Sequence, residues 1–305
     1  MQGISHKILP FSPIQKTVCE QLHRRSRIDG GSIRITYPTE RFDLRSEIEK
    51  YIKDSGFTDQ PLPLEQLHTR IPIEHQKWPP HNLVNKDNEC INRPSFKIEY
   101  EKLIKYLARE VFQRDFLFKK TPLVRFNFSG VMLDRFRAAD GRNLSYHSDT
   151  LFSDPFEGLT CWMPFTECFG SNAMAWAELE DGISILDQFS RDFDYDDKIY
   201  YSEGRKRFFD KLCNDKLWRE QVIRQCPPLE INYGEIMMFD QRCVHGTMEN
   251  LTDSTRVSMD FRLLFLDDAE ALEQHWKSTA TPVDSADGLS IIRGEFYDTR
   301  SAFEL

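Results

Sequence analysis

LVRFNFSGVML, residues 123–133, alternates apolar and polar side chains from its second position. Val124, Phe126 and Phe128 fall on one side, and Arg125, Asn127 and Ser129 on the other. A period of two belongs to a strand with one buried face, not to a helix. Further short apolar runs follow it: LTCWMPF (159–165), NAMAWAEL (172–179), GISIL (182–186), EIMMFD (235–240) and RVSMDFRLLFL (256–266). Gly, Asp and Asn punctuate them, and short strands so divided predict an antiparallel sandwich or barrel. One helix is expected to interrupt the strands at Arg205–Arg224, with Phe208, Phe209, Leu212, Leu217 and Val222 as its apolar stripe.

Upstream the period changes. FDLRSEIEKYIKDS (42–55) reads as a short amphipathic helix with Phe42, Ile48 and Ile52 near one face. A proline-bearing stretch follows from Pro61 to Pro94, where TRIPIEHQKWPPHN (69–82) is not expected to sustain a helix. Residues 95–114 then place Phe96, Tyr100, Leu103, Ile104, Leu107 and Val111 at helical spacing behind Ser95 as N-cap. No repeat or linker divides the chain. The expectation is one domain over 1–305: a helical layer over about 1–120, a mainly β core over about 121–266 and a tail over 267–305.

The 305 residues carry a net charge of −9, with 40% hydrophobic and 29% charged residues, the balance of a globular domain. An acidic, well-mixed charge gives no footprint for nucleic acid and disfavours an anionic membrane surface. The seven cysteines (Cys19, Cys90, Cys161, Cys168, Cys213, Cys226, Cys243) include no C-x-x-C pair. They read as free thiols of a reducing compartment. MQGISHKILPF at the start lacks a signal-peptide pattern, and no apolar run reaches the roughly 18 residues of a membrane helix. The chain is therefore expected to be cytoplasmic; its oligomeric state stays open.

The chemistry concentrates in YHSDTLFSDPFEGLTCWMPFTE (146–167). His147 and Asp149 stand two apart, so on a strand both project from one face and can reach one metal ion. EIMMFDQRCVHGTMEN (235–250) runs a strand into a turn and then His245. Two imidazoles and one carboxylate on one face of an octahedron leave three positions open, as in non-haem Fe(II) oxygenases. A bidentate 2-oxo acid fills two of these and dioxygen the third. An isolated H-x-D is common by chance and reads equally as a satisfied histidine in a surface turn. Here the order of elements adds weight, because Arg256 opens a strand eleven residues after His245 and can pair with the distal carboxylate of a 2-oxo diacid. Thr247 stands two residues after His245, so on a continuing strand it points the same way and can add a hydroxyl donor, and Ser258 bears the same relation to Arg256.

His147-Ser148-Asp149, Trp162 in LTCWMPFTE, GSNAM (170–174), His245-Gly246-Thr247 and Arg256 together resemble the phytanoyl-CoA dioxygenase-like branch of the Fe(II)/2-oxoglutarate oxygenases. They are also similar to bacterial natural-product hydroxylases of the streptomycin-cluster type. The resemblance covers roughly residues 120–266. It implies a double-stranded β-helix, a cupin-like jelly roll, with iron held by His147, Asp149 and His245. It further implies that Arg256 binds the far carboxylate of 2-oxoglutarate, beside Thr247 or Ser258, and that Trp162 lies against the cosubstrate. The implied activity is hydroxylation of an aliphatic C–H of a small polar metabolite or natural-product intermediate, consuming O2 and releasing succinate and CO2. Related halogenases lack the carboxylate that Asp149 supplies. Desaturation or ring closure from the same cofactors stays open, as does oxidation of a protein substrate. A non-catalytic cupin-like metal- or ligand-binding protein is the rival of another class, although such a protein has no use for a carboxylate clamp at Arg256.

Other residues are less decisive. Arg125 and Asn127 lie on the polar strand face and read as substrate contacts or as a solvated face. Segment 188–204 reads as a lid or as a surface excursion. Arg135, Arg137 and Arg142 can hold an anion or simply face water. His6, His23, His68, His75, His81 and His275 have no partner at ligand spacing. Met237, Met238, Met248, Met259, Trp78 and Trp176 are expected in the core.

Overall fold

The computed structural model describes residues 4, 7–76, 89–130, 145–152, 154–196, 203–279 and 296–300. Two antiparallel sheets form the centre. The larger contains β1 (Ser32–Thr36), β2 (Phe116–Lys119), β3 (Leu123–Asn127), β4 (Leu159–Pro164), β7 (Glu235–Asp240), β9 (Arg256–Phe265) and β10 (Phe296–Asp298). The smaller contains β5 (Met174–Trp176), β6 (Pro228–Leu229) and β8 (His245–Thr247), and His147 bridges to its edge at His245. In the larger sheet β3, β9, β4 and β7 are neighbours in that order, and in the smaller His147, β8, β5 and β6. The chain thus passes back and forth between the two sheets, which is the topology of a double-stranded β-helix, or jelly roll.

Alternation along the strands separates three layers. Val124, Phe126, Cys161, Met163, Ile236, Met238, Val257, Met259, Phe261 and Leu263 point out of the large sheet. They pack against helices α2 (Leu44–Asp54) and α3 (Pro94–Tyr106), which follow a short α1 (Val18–His23). Ile48, Leu103 and Phe261 are fully buried there, and each such side chain contributes about 1.5–3 kcal/mol. Ala175, Ala177 and Val244 face the other way, onto α4 (Leu179–Arg191), α5 (Gly204–Asn214) and α6 (Lys216–Gln225). Between the sheets lie Trp162, Met174, Trp176, Met237 and Phe239, an apolar floor inside the barrel.

Several sequence expectations are corrected. GISIL is helical, within α4, because Gly182, Ile185, Leu186 and Phe189 form its buried stripe. Gly182 is also needed for contact, since a Cβ there would lie 2.4 Å from the carbonyl oxygen of Arg242. The helix expected at 205–224 is two helices, broken at Asp215, whose carboxylate accepts from the Trp218 amide at 3.0 Å and caps the second. Ser95 does not cap α3, which begins at Pro94; its hydroxyl donates to Glu47 instead. Within the span expected to be helical, Ser32–Thr36 and Phe116–Lys119 are strands, each paired through its backbone to the large sheet. The expected tail opens as α7 (Leu266–Thr279). Residues 188–191 of the expected loop complete α4, whereas 197–202, Arg135, Arg137, Arg142, Trp78, His6 and His81 lie outside the described residues. Among the described residues, no helix is long and apolar enough to cross a membrane.

Candidate metal centre

His147, Asp149 and His245 converge at one end of the barrel, each offering a ligand atom within 4.8 Å of the others. His147 and His245 are drawn together by a backbone bridge, His147 N–H to His245 O at 2.8 Å and the reverse at 2.7 Å. Gly246 permits this approach, because a Cβ there would meet the Ser145 carbonyl at 2.8 Å. Asp149 is not on a strand as the spacing suggested; it opens a single 3-10 turn, Asp149–Phe152. Ser148 anchors the chain before that turn by donating to the Gln241 carbonyl at 2.6 Å.

Hydrogen bonds fix how these groups present themselves. Nδ1 of His147 lies 2.9 Å from the Ser145 carbonyl, and Nδ1 of His245 lies 3.0 Å from the Cys243 carbonyl. A carbonyl only accepts, so both Nδ1 atoms carry the proton and both Nε2 lone pairs are left for a metal. Nε2 of His245 is 3.9 Å from Asp149 Oδ1. Asp149 is buried, and its oxygens are tied separately: Arg262 donates to Oδ1 at 2.7 Å and Thr160 to Oδ2 at 2.5 Å. Two neutral imidazoles and an ionised carboxylate suit a divalent cation of the iron type.

The electrostatics agree with this reading. Burial pushes His147 down to about 3, reinforced by His245, with Asp149 opposing. Burial also lowers His245 against the pull of Asp149. Burial alone would raise Asp149, but Arg262 and the two imidazoles hold it below the usual carboxylate range. Protons compete with a metal only below the pKa of the ligand. Two ordinary histidines near 6.5 would lose roughly a hundredfold in affinity at a pH one unit lower. Affinity for Fe(II) is therefore expected to stay flat, within about threefold, from pH 8 to pH 6, with almost no proton release on binding. Anaerobic calorimetry in two buffers of different ionisation enthalpy measures both; release of about half a proton at pH 7, as two ordinary histidines would give, would contradict the burial argument.

The other predicted site residues lie inside the barrel. Arg256 is buried on β9 and donates to the Asn172 carbonyl at 3.0 Å and to Thr247 Oγ1 at 3.3 Å. Its guanidinium carbon stands 5.8 Å from the centre of the Trp162 ring. Among the described residues no carboxylate pairs with it, its Nε has no acceptor, and burial lowers it to about 10. The Ser258 hydroxyl is likewise buried without a partner, so of the two competing hydroxyls Thr247 is the one that touches Arg256. Arg125 is tied to Asp260 at 2.6 Å and Asn127 to the Met248 carbonyl at 3.2 Å, so both serve internal contacts.

Sequence reasoning missed Arg262, Asp260 and Thr160. The signal was present in RVSMDFRLLF: Arg256, Ser258, Asp260 and Arg262 recur at period two, opposite Val257, Met259, Phe261 and Leu263. Four polar residues on one face of a ten-residue buried strand mark a polar barrel interior.

No protein-family model matches the chain, and no curated protein matches it in sequence. Among solved structures it is similar to a non-haem α-ketoglutarate dependent carbocyclase, SnoK from nogalamycin biosynthesis, at 14% identity and a TM-score of 0.38, covering 77% of this chain and 80% of that one. It is also similar to EctD from S. alaskensis with bound Fe, at 12% identity and a TM-score of 0.41, covering 79% and 75%. A non-haem monooxygenase, the ThoJ–Ni complex, overlaps at 11% identity and a TM-score of 0.40, covering 77% and 74%. Overlap of this degree leaves the chemistry of the site to be read from its own geometry.

Proposed function

We propose that this chain is a non-haem Fe(II)/2-oxoglutarate-dependent oxygenase that hydroxylates an aliphatic C–H of a small polar metabolite. The observation that carries the reading is Arg256, a buried guanidinium with no carboxylate partner among the described residues. It reaches Thr247, two residues along β8 from His245. A buried charge is costly unless something pairs with it, and a dicarboxylate cosubstrate held at the His147–Asp149–His245 site would supply that partner. A simple metal-binding protein leaves Arg256 without a role.

His147, Asp149 and His245 would hold Fe(II), each imidazole through Nε2. Iron with its bound 2-oxo acid supplies activation of dioxygen for C–H oxidation, with succinate and CO2 as coproducts. Arg256 and the Thr247 hydroxyl bind the far carboxylate and so fix which end of the cosubstrate faces the metal. Trp162 lies under the guanidinium and, with Met237 and Phe239, excludes water from that end. A dry wall strengthens the Arg256–carboxylate pair. Retention of Asp149 favours hydroxylation over halogenation, since the carboxylate occupies the place a halide would need.

The test is a visible spectrum recorded under nitrogen. Fe(II) and 2-oxoglutarate added together are expected to give a weak charge-transfer band that neither gives alone and that His147→Ala lacks. Stoichiometric bound iron without such a band would overturn the cosubstrate assignment and favour a metal-binding protein.

A further inference from the structure

We infer that Arg262 is a positioning residue for iron: it holds Asp149 so that one carboxylate oxygen turns to the metal, and it weakens that oxygen as a donor. The inference rests on the oxygenase reading above, and it assigns a role to a side chain six residues beyond the clamp on the same strand.

Four observations carry it. Arg262 stands directly across the sheet from Thr160 and points to the same face. From there Arg262 reaches Oδ1 of Asp149 at 2.7 Å, while Thr160 reaches Oδ2 at 2.5 Å. With both oxygens engaged, the Asp149 carboxylate cannot spin about its last bond. Arg262 is itself held, since its Nη1 donates to Asp260 at 3.0 Å, its Nε lies 3.5 Å from Asp154, and Asp260 is tied in turn to Arg125 at 2.6 Å. Finally, the whole arrangement is dry: Asp149, Asp260 and Arg262 are 2%, 5% and 8% exposed. A planar fork between two carboxylates gives a fixed geometry that a lysine cannot reproduce.

Two consequences follow from the chemistry. Partners behind a metal ligand set its orientation, and their loss typically weakens metal binding about 10–100-fold. A fixed positive charge against the ligating carboxylate also disfavours Fe(III) more than Fe(II), because the ion of higher charge gains more from a strong anionic donor. Arg262 therefore raises the Fe(III)/Fe(II) potential and protects the ferrous site from idle oxidation.

The experiment compares wild type with Arg262→Gln and Arg262→Lys, without substrate. Fe(II) affinity is read by anaerobic competition with a chromophoric chelator, and the midpoint potential by mediated titration. Arg262→Gln is expected to weaken Fe(II) binding about 10–100-fold. Its potential should fall by the equivalent of roughly a tenfold gain in relative Fe(III) affinity, about 59 mV for one electron. Arg262→Lys keeps the charge and should restore most of the potential but not the affinity. If Arg262→Gln does not fold, Arg262→Gln/Asp260→Asn, which removes one charge of each sign, is read in the same way. An affinity within about threefold of wild type, or an unmoved potential, in the folded variant overturns the inference. Failure of wild type itself to bind Fe(II) would instead overturn the metal centre on which it rests.

Discussion

Asp149→Ala is expected to abolish 2-oxoglutarate turnover and to weaken Fe(II) binding by two to three orders of magnitude. Asp149 is the one anion among the three converging ligands, and it is buried and ionised. Removing one partner of a buried ionic contact costs about 3–5 kcal/mol, and about 1.4 kcal/mol is tenfold in affinity. The two imidazoles that remain are neutral and cannot offset the charge of the metal. Arg262 would meanwhile keep Asp260 and Asp154 as partners, so the variant should fold, with a modest fall in melting temperature. Circular dichroism checks the fold, chelator competition the affinity and succinate release the turnover. Iron affinity within tenfold of wild type would show that Asp149 belongs to the Arg262 network alone and is not a ligand.

Arg256→Met separates stability from function in the opposite sense. Here a buried guanidinium with no carboxylate partner among the described residues gives way to an apolar chain of similar length. Replacing buried charge by apolar side chains is often neutral or stabilising by about 1–4 kcal/mol. The melting temperature of the metal-free protein is therefore expected to hold or rise. Truncating one partner of a buried charged contact to a ligand costs about 2–5 kcal/mol in binding, so the KM for 2-oxoglutarate should rise about 30-fold or more. Fe(II) affinity without cosubstrate should be unchanged. A variant that melts earlier and keeps a normal KM would make Arg256 a structural residue and remove the main support for a dicarboxylate cosubstrate.

Much of this arrangement was legible in the sequence where one local pattern sufficed. The alternation in LVRFNF gave β3, and helical spacing from Phe96 onward gave α3, which ends at Tyr106 and runs into a π-helical turn, Leu107–Phe112, that carries Val111. His147, Asp149, His245 and Arg256 could be singled out because few residue types bind metals or clamp carboxylates, and their order along the chain was informative. Local patterns failed where a distant partner decides. GISIL is too short for its period to be read alone; it is helical because Ile185, Leu186 and Phe189 bury one face of α4, on which Gly182 fits against the backbone of Arg242. Ser32–Thr36 becomes a strand through pairing with β7, some two hundred residues away in sequence. Arg262 and Thr160 looked like ordinary members of apolar runs, since nothing local shows that their shared neighbour is Asp149.

Strand β9 has one more consequence, for folding fidelity. Its two faces differ as sharply as the two sides of a membrane: Arg256, Ser258, Asp260 and Arg262 turn inward, while Val257, Met259, Phe261 and Leu263 turn to the helical layer. Slippage of β9 by a single residue against β4 would exchange those faces completely. Three charges would then enter a layer of aromatic and aliphatic side chains at a cost of several kcal/mol each. A misaligned jelly roll is thus rejected by the same inward-facing side chains that include the Asp149 partner Arg262 and the guanidinium of Arg256, and any redesign that neutralises them for new chemistry also removes the proofreading of strand register.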